Sequence, residues 1–577
     1  MRLPPNPKTY NKVVREIARV LHEIYREARV VQDRYKDYFV EDDRSLVLIS
    51  ALAEGADTIA AQAALKSGFI LDAALPFPQA VYEDDFDKET CKVFLELCSA
   101  ARARLELPGR RGEGHEDEAY QAVGLTIVGL SDILLGVWDG GPSAGKGGTT
   151  EILTAAAPLG IPIIHIDANG VNPTRILWNG LSEHPVPADR LDDHLPSAPF
   201  DEVLPRLVEE LVRPPVEDAE AREARRYFHE RERFWNLRPE FPLLTALLFV
   251  RGLRLTDVRP RTLNQSMHEY VAPIKPPLGH FEEPAQLNLA VAYAWADSVG
   301  IHFAQMFRSA FVTNFLLAAA AVVAALGSLL TNRLWPIATE VALIVIVIAN
   351  TLIGHRLRWH RRWVESREVA ERLRGAVFFW MLGVQPRAFN GTDPTWTGWY
   401  VRAIFRAQGL RAGSLDAASV DVARSAIMTV LTAQCRYHGT TAERMQSLER
   451  RLEWFGLVMF AATILVSLDH LFLHEAVLTS LLPNSWLISQ IAIALSAMLP
   501  ALATASYGIR VIGDFEGIAK RSERAHETLK DQIKALAHDP PEIGLLRKRA
   551  QIAADAMLGD VSSWRLSAES RGLAIPG

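Results

Sequence analysis

Four long apolar segments constrain this chain more than any other feature: Phe311 to Leu330, Trp335 to Gly354, Phe455 to Leu473 and Trp486 to Tyr507. Each has about 20 residues, which at about 1.5 Å per residue matches about 30 Å of hydrocarbon. The first two are separated only by "TNRL" and form a tight hairpin, and roughly a dozen residues join the second pair. Basic residues gather in "HRLRWHRRWVESRE" after the second segment, in "ERMQSLERRLEW" before the third, and at Arg510, Lys520, Arg521 and Arg524 after the fourth. The loop from His474 to Ser485 has no Lys or Arg, and the first hairpin has only Arg333. The positive-inside rule therefore predicts a multi-pass inner (cytoplasmic) membrane protein with both termini and residues 355–454 in the cytoplasm. Trp335, Trp454, Trp486 and Tyr507 stand at span ends, as interfacial anchors do.

The 577 residues are too many for one ordinary domain, and the 49% hydrophobic fraction is concentrated after about residue 310. The expected division is 1–205 as a ligand-binding domain, 206–284 as a helical adaptor and 285–577 as a membrane domain. A formal charge of -6 disfavours nucleic acid as a partner. Cys91, Cys98 and Cys435 form no metal or disulfide spacing. "MRLPPNPKTYNKVVREIARV" has no signal-peptide core, so residues ahead of the first span are expected in the cytoplasm. The charged run "EDAEAREARRYFHERERF" reads as a solvated helix.

Ahead of the spans the pattern alternates. Val13, Ile17, Val20, Leu21 and Ile24 have helical spacing. Then come strand "SLVLIS", helix "TIAAQAALKSG", strand "FILDAALP", helices "KETCKVFLELCSAARA" and "EAYQAVGLTIVGLSD", strand "ILLGVWD", helix "TTEILTAAAPLG" and strand "IPIIHID". Short continuous apolar strands between helices predict a Rossmann-like parallel sheet covered on both faces. The ligands of such sheets bind at loops leaving the C-terminal strand ends. Two glycine-containing turns sit there, "SALAEGAD" and "GGPSAGKGGTTE".

The second turn satisfies the GxxxxGK part of a Walker A motif with Gly140, Gly145 and Lys146, and Asp167 offers a Walker B carboxylate. Gly147 stands where the magnesium-binding hydroxyl belongs, which argues against hydrolysis. The alternative is that "GGTTE" is the cradle. Gly147 and Gly148 let backbone amides approach a phosphate, Thr149 and Thr150 offer hydroxyls at a helix start, and Glu151 meets a ribose or caps the helix. A plain helix cap on a glycine loop has the same composition. The candidate ligand residues are Ser50, Glu54, Gly55 and Asp57 in the first turn, and Gly140, Gly147, Gly148, Thr149, Thr150 and Glu151 in the second.

"LVLISALAEGADTIAAQAALKSGFILDAALPF" resembles the strand–loop–helix of the SLOG superfamily, which includes the Lonely Guy phosphoribohydrolases and the DNA-processing protein that loads recombinase. "GKGGTTE" resembles the second signature of that superfamily, PGGxGTxxE in the Lonely Guy enzymes. The likeness covers roughly residues 10 to 170. The four-span region, with pieces such as "RVIGDFEGIAKRSE", is similar in layout to SLOG-associated (SLATT-like) transmembrane effectors. The resemblance implies a SLOG-like domain followed by an all-α four-span membrane domain, in which Gly55, Asp57, Gly147, Gly148, Thr149 and Glu151 face a nucleotide or nucleotide-derived second messenger. It further implies a pore-forming or membrane-disrupting homo-oligomer in bacterial antiviral or conflict defence. Two departures stand out. The RKxxM stretch that supplies a catalytic arginine in the Lonely Guy enzymes has no counterpart, and "MRLPPN" stands where a first strand would just have ended.

Three readings follow: a nucleotide-gated membrane effector with no catalysis, a membrane-tethered N-glycosidase using Glu151, or a nucleotide-regulated channel or transporter. His115 amid three carboxylates in "GHEDEAY" reads as an acidic helix start rather than a metal site. Of the polar residues within the spans, Asn350 and Gln490 are the candidates for lining a pore.

Overall fold

The computed structural model describes residues 6–39, 45–112, 114–141, 146–182, 195–215, 217–233, 235–273, 288–331, 333–386, 395–472, 485–540 and 542–569. Helix α1 (Pro7–Arg34) begins where the Asn6 side chain accepts the Lys8 N–H at 3.0 Å, with Pro7 in the first turn. Its apolar stripe of Val13, Ile17, Val20 and Leu21 is fully buried. There follow β1 (Val47–Ser50), α2 (Ala56–Lys66), β2 (Ile70–Leu75), α3 (Lys88–Ala100), β3 (Ala103–Glu106), α4 (His115–Leu130), β4 (Leu134–Trp138), α5 (Thr149–Ala156) and β5 (Ile163–Asp167). The sequence pattern carries a helix through Ala103 and misses β3. That strand is specified by its ladder with β2, in which Asp72 lies opposite Ala103, rather than by its Arg-containing composition.

Strands β1, β2 and β3 pair in parallel, and so do β4 and β5. Two short strands, β6 (Arg175–Leu177) and β7 (Ser197–Pro199), extend β5 in antiparallel fashion. The single parallel sheet expected is thus two four-stranded sheets, and no ladder joins β1 to β4. Each of these strands is outermost in its sheet, and its outer edge is unpaired among the described residues. Residues 1–5, where the resemblance would end a first strand, lie outside the described residues. Helix α1 bridges the two halves. Its stripe packs with Leu46 and Leu48 at β1 and with Val137, Ile164 and Ile166 of β4 and β5.

Helices α6 (Phe200–Val212), α7 (Asp218–Phe228), α8 (Glu240–Leu247) and α9 (Leu263–Val271) come next. The charged run around α7 is not the solvated face its composition suggests. Glu223 is 1% exposed and pairs with Arg226 at 2.9 Å and Arg358 at 2.5 Å, while Glu220 pairs with Arg361 at 2.6 Å. A carboxylate is tolerated inside only when cations meet it, and those cations come from the basic sequence after the second apolar segment.

The remainder is helical: α10 (Asn288–Thr331), α11 (Trp335–Arg356), α12 (Trp359–Met381), α13 (Trp396–Gln408), α14 (Ala417–Phe472), α15 (Ser485–Gly513), α16 (Phe515–His538) and α17 (Ile543–Glu569). Four stretches, carried by α10, α11, α14 and α15, are long and apolar enough to cross a membrane. Val341, Val345 and Leu352 on α11 are more than half exposed, as side chains facing lipid would be. Helix α14 is unbroken for 56 residues, so the third span and the helix leading into it form one rod.

The helical part is tied to the α/β part by backbone. Between α13 and α14, the two-residue strand β8 (Gly413–Ser414) adds to β3 in parallel, with Leu105 opposite Gly413. Beside it, the fully buried Asp72 of β2 accepts from Arg102 Nε at 3.0 Å and from the Leu410 N–H at 3.3 Å.

Candidate functional site

The first loop joins β1 to α2 and closes on its own backbone. Ser50 Oγ, buried, accepts the Leu52 N–H at 3.1 Å, and the Ala53 carbonyl accepts the Thr58 N–H at 3.3 Å. Gly55 has φ 107° and ψ -118°, a conformation almost closed to any residue with a Cβ. Glu54 points to solvent, whereas Asp57, in the first turn of α2, is half-buried. Burial pushes the Asp57 carboxyl above the ordinary carboxylate range, against the Ala53 N–H bond that favours its charge.

The second loop, from β4 to α5, is closed by side chains. Trp138 Nε1 and Thr150 Oγ1 both donate to the Gly141 carbonyl at 2.9 Å. Gly140 has φ 82° and Gly147 φ 76°. A Cβ on Gly140 would meet nothing, but one on Gly147 would stand 2.7 Å from the Gln121 backbone nitrogen. Glu151 Oε2 accepts the Gly147 N–H at 2.7 Å and Oε1 accepts from Gln121 Nε2. Both oxygens of Glu151 are therefore engaged in shaping the loop. At the start of α5, the Gly148, Thr149 and Thr150 N–H groups have no acceptor among the described residues, as the first turn of a helix requires unless something external caps it.

Of the components of a hydrolysing P-loop, Gly145 lies outside the described residues, and Asp167 and Lys146 are engaged elsewhere. Asp167, the Walker B candidate, accepts the N–H groups of Asn169, Val171 and Asn172 at 2.8–3.1 Å and shapes its own turn. Burial works against its charge, but those N–H groups win and hold the carboxyl below its ordinary range. Lys146 lies 3.8 Å from Glu118 on the outside of α4.

Between the loops lies a polar cluster that the sequence pattern does not reveal. Asp85 accepts from Tyr120 Oη and pairs with Arg111 at 2.5 Å. The Arg111 guanidinium also donates to the Val81 carbonyl at 2.8 Å and lies 4.3 Å from the Phe77 ring centroid. Tyr82 is buried, and its phenol is pushed well up, first by burial and then by the Asp57 charge. Tyr120 is likewise pushed up by burial and by the bond to Asp85. A Cβ on Gly147 would also stand 3.0 Å from the Tyr120 carbonyl carbon. Tyr120 thus lies against the Gly147 turn, and Tyr82 feels the charge of Asp57. The missed residues come from "VYEDDF" and "PGRRGEGHEDEAY", whose charge reads as surface until the fold brings them together.

In the span region, Asn350 is fully engaged. Its Oδ1 accepts from Arg238 Nη1 at 2.7 Å, and its Nδ2 donates to Asn314 Oδ1 at 2.7 Å and to the Ala310 carbonyl at 3.1 Å. Asn314 in turn donates to Thr351 Oγ1 at 2.8 Å. This network binds α10 to α11 and both to Arg238, ahead of α8. Gln490, near the start of α15, is half-buried and distant in sequence from any of these partners. No group of His, Cys, Asp or Glu able to hold a metal ion occurs among the described residues. Comparison with protein-family models, with curated proteins and with solved structures finds no match for this chain.

Proposed function

We propose that this chain is a membrane effector that senses a nucleotide or nucleotide-derived signal through a Rossmann-like, SLOG-like domain. The observation that carries the reading is the second loop. Three successive N–H groups at a helix start have no acceptor among the described residues, and Glu151 is folded back onto Gly147 instead of across them. A phosphate fits there, drawn by the N–H groups and the helix dipole. Tyr120 stands beside the loop, linked through Asp85 to Arg111, and Asp57 lies across the cluster to meet a ribose or base. Binding that draws the loops together pulls on β2 and β3, and so on β8 and Asp72, which lead directly to α13 and α14. An oligomer of the four spans then opens or disrupts the bilayer. The ligand achieves this only by favouring the open assembly over the closed one. The resemblance to SLOG-linked effectors supports a role in antiviral or conflict defence.

The test uses the purified chain in dye-loaded liposomes challenged with a panel of nucleotides, with mass spectrometry of small molecules that co-purify with it. Leakage on adding the co-purifying nucleotide supports the proposal. A bound nucleotide that never causes leakage, at any protein density, sinks the effector reading.

Arg111 favours a second reading. Its guanidinium, paired with Asp85 in the cluster that holds Tyr120, is a cation in the same domain that the missing RKxxM stretch does not supply, so a nucleotide N-glycosidase with Glu151 as its carboxylate is the alternative. That reading requires free base to be released from nucleoside monophosphates and the release to vanish in both Glu151→Ala and Arg111→Ala. Steady ion-selective currents in a planar bilayer would instead mark a regulated channel.

A further inference from the structure

The segment from Trp235 to Val258 belongs to the expected helical adaptor, yet only five arginines and two carboxylates punctuate "WNLRPEFPLLTALLFVRGLRLTDVRPR" (235–261), and the rest is largely apolar. The structure spends only one side of it on the protein. Phe241, Leu244, Leu248 and Val250 pack against the core formed by α10, α12, α14 and α16. The other side carries Leu237, Leu247, Phe249, Leu253 and Leu255, which are 84%, 74%, 86%, 56% and 78% exposed. Trp235, 59% exposed, stands at its edge. So many large apolar side chains in one exposed patch mark a surface that meets something other than water.

The position of the patch identifies what it meets. Arg238 Nη1 donates to Asn350 of α11 at 2.7 Å, and its Nη2 donates to Thr313 of α10 at 3.1 Å. The Phe241 N–H donates to Ser309 Oγ at 3.2 Å, and Arg451, four residues before the third apolar segment, donates to the Leu248 carbonyl. The segment is therefore pinned to the ends of three spans on the side of the α/β part. Its exposed face continues the exposed apolar surface of α11, where Leu352, Ile353 and Leu357 are 62%, 49% and 46% exposed. Exposed Arg254 and Arg259 flank the patch and form no ion pair among the described residues. An apolar face with arginines at its margin and a tryptophan at its edge matches an acyl layer capped by anionic headgroups.

We propose that residues 235–258 dip into the bilayer leaflet facing the α/β part, with Leu247, Phe249 and Leu255 among acyl chains and Arg254 and Arg259 on anionic lipid headgroups. The inference rests on the four apolar helices crossing the bilayer and is independent of any nucleotide. By this account Arg238 joins a lipid-embedded segment to the first two spans, so lipid packing reaches the same Asn350–Asn314 network.

The experiment places single spin labels on the full chain, with Cys91, Cys98 and Cys435 replaced by alanine, in vesicles of phosphatidylcholine and phosphatidylglycerol. The labelled variants are Phe249→Cys, Leu352→Cys on the second span, and Val171→Cys, which is 77% exposed on the α/β part. Oxygen collides preferentially with labels in lipid and a water-soluble nickel chelate with labels in water. The expected result is an oxygen-to-nickel collision ratio at 249 that is several-fold above that at 171 and close to that at 352. A ratio at 249 equal to that at 171 places the segment in water and overturns the proposal while leaving the spans intact. An immobilised label at 249, shielded from both reagents, shows that protein covers the patch, which also overturns it. A water-like ratio at 352 overturns the membrane reading itself, and the proposal with it.

Discussion

The two glycine-bearing loops perform the same task, turning a parallel strand into a helix, by different means. In the first, Ser50 takes the Leu52 N–H, Asp57 takes that of Ala53 and the Ala53 carbonyl takes that of Thr58, while the N–H groups of Gly55, Ala56 and Asp57 at the start of α2 have no acceptor among the described residues. In the second, the N–H groups of Gly148, Thr149 and Thr150 have no acceptor among the described residues, and the loop is closed by the Trp138, Thr150 and Glu151 side chains. Open first-turn amides are common to both helix starts, so the proposed assignment of binding to the second loop rests on its side-chain closure and on Glu151 held against Gly147.

The sharpest way to break that assignment is Gly147→Ala. The substitution meets both a left-handed backbone and a backbone nitrogen 2.7 Å from the new Cβ. Strain and overlap together cost about 2–4 kcal/mol. Thermal unfolding should fall accordingly, and the folded protein should retain no nucleotide. Unchanged ligand retention would mean that the second loop is not the receptor. Gly55→Ala follows, at about 1–3 kcal/mol, because φ 107° with ψ -118° strains any side chain. Here the expectation is lost stability with ligand affinity kept in the folded fraction, measured by urea unfolding alongside calorimetric titration. The reverse pattern, normal stability and lost affinity, would exchange the roles of the loops.

Glu151→Gln is milder. Glutamine keeps the shape but weakens the bond from the Gly147 N–H by its missing charge, about 1 kcal/mol. If Glu151 only braces the loop, urea unfolding shifts by that amount and any base-releasing activity is unaffected. Loss of such activity with unchanged stability would move Glu151 from brace to catalyst.

The asymmetry between the loops was partly legible in the sequence. Continuous apolar runs such as "IPIIHID" and the 20-residue spans carry their own instructions, because burial on every side or lipid all around leaves little choice of structure. Glycines at strand ends likewise marked Gly55 and Gly147 as turns. Partnership was not legible. Strand β3 and the two residues of β8 exist because a neighbouring ladder pairs with them. Glu223 is buried because Arg358, 135 residues later, comes to meet it. The Tyr82–Asp85–Arg111–Tyr120 cluster is assembled from three separate elements, so charged residues that look solvated in sequence line the space between the loops. The division into two sheets also depends on a ladder that is not made, and local composition carries no signal for that.

The smallest expected effect is the most discriminating for the first loop. Its carboxylate, Asp57, is lifted above its ordinary range by burial, so the folded state holds that proton more tightly than the unfolded chain does. The sign follows from linkage: stability from this group is complete below the unfolded value of about 4 and is lost as pH rises through the higher folded value. At neutral pH the Asp57 carboxyl is thus a cost the loop carries, and Asp57→Asn removes it. The variant should unfold at a higher temperature than the parent at pH 7.5, with the difference shrinking towards zero near pH 4. Both proteins should bind nucleotide at the second loop, and only a contact between Asp57 and a ribose or base would weaken the variant's affinity. A variant less stable than the parent at pH 7.5 would show that the bond from the Ala53 N–H to Asp57 outweighs the cost of its burial and holds the first loop together.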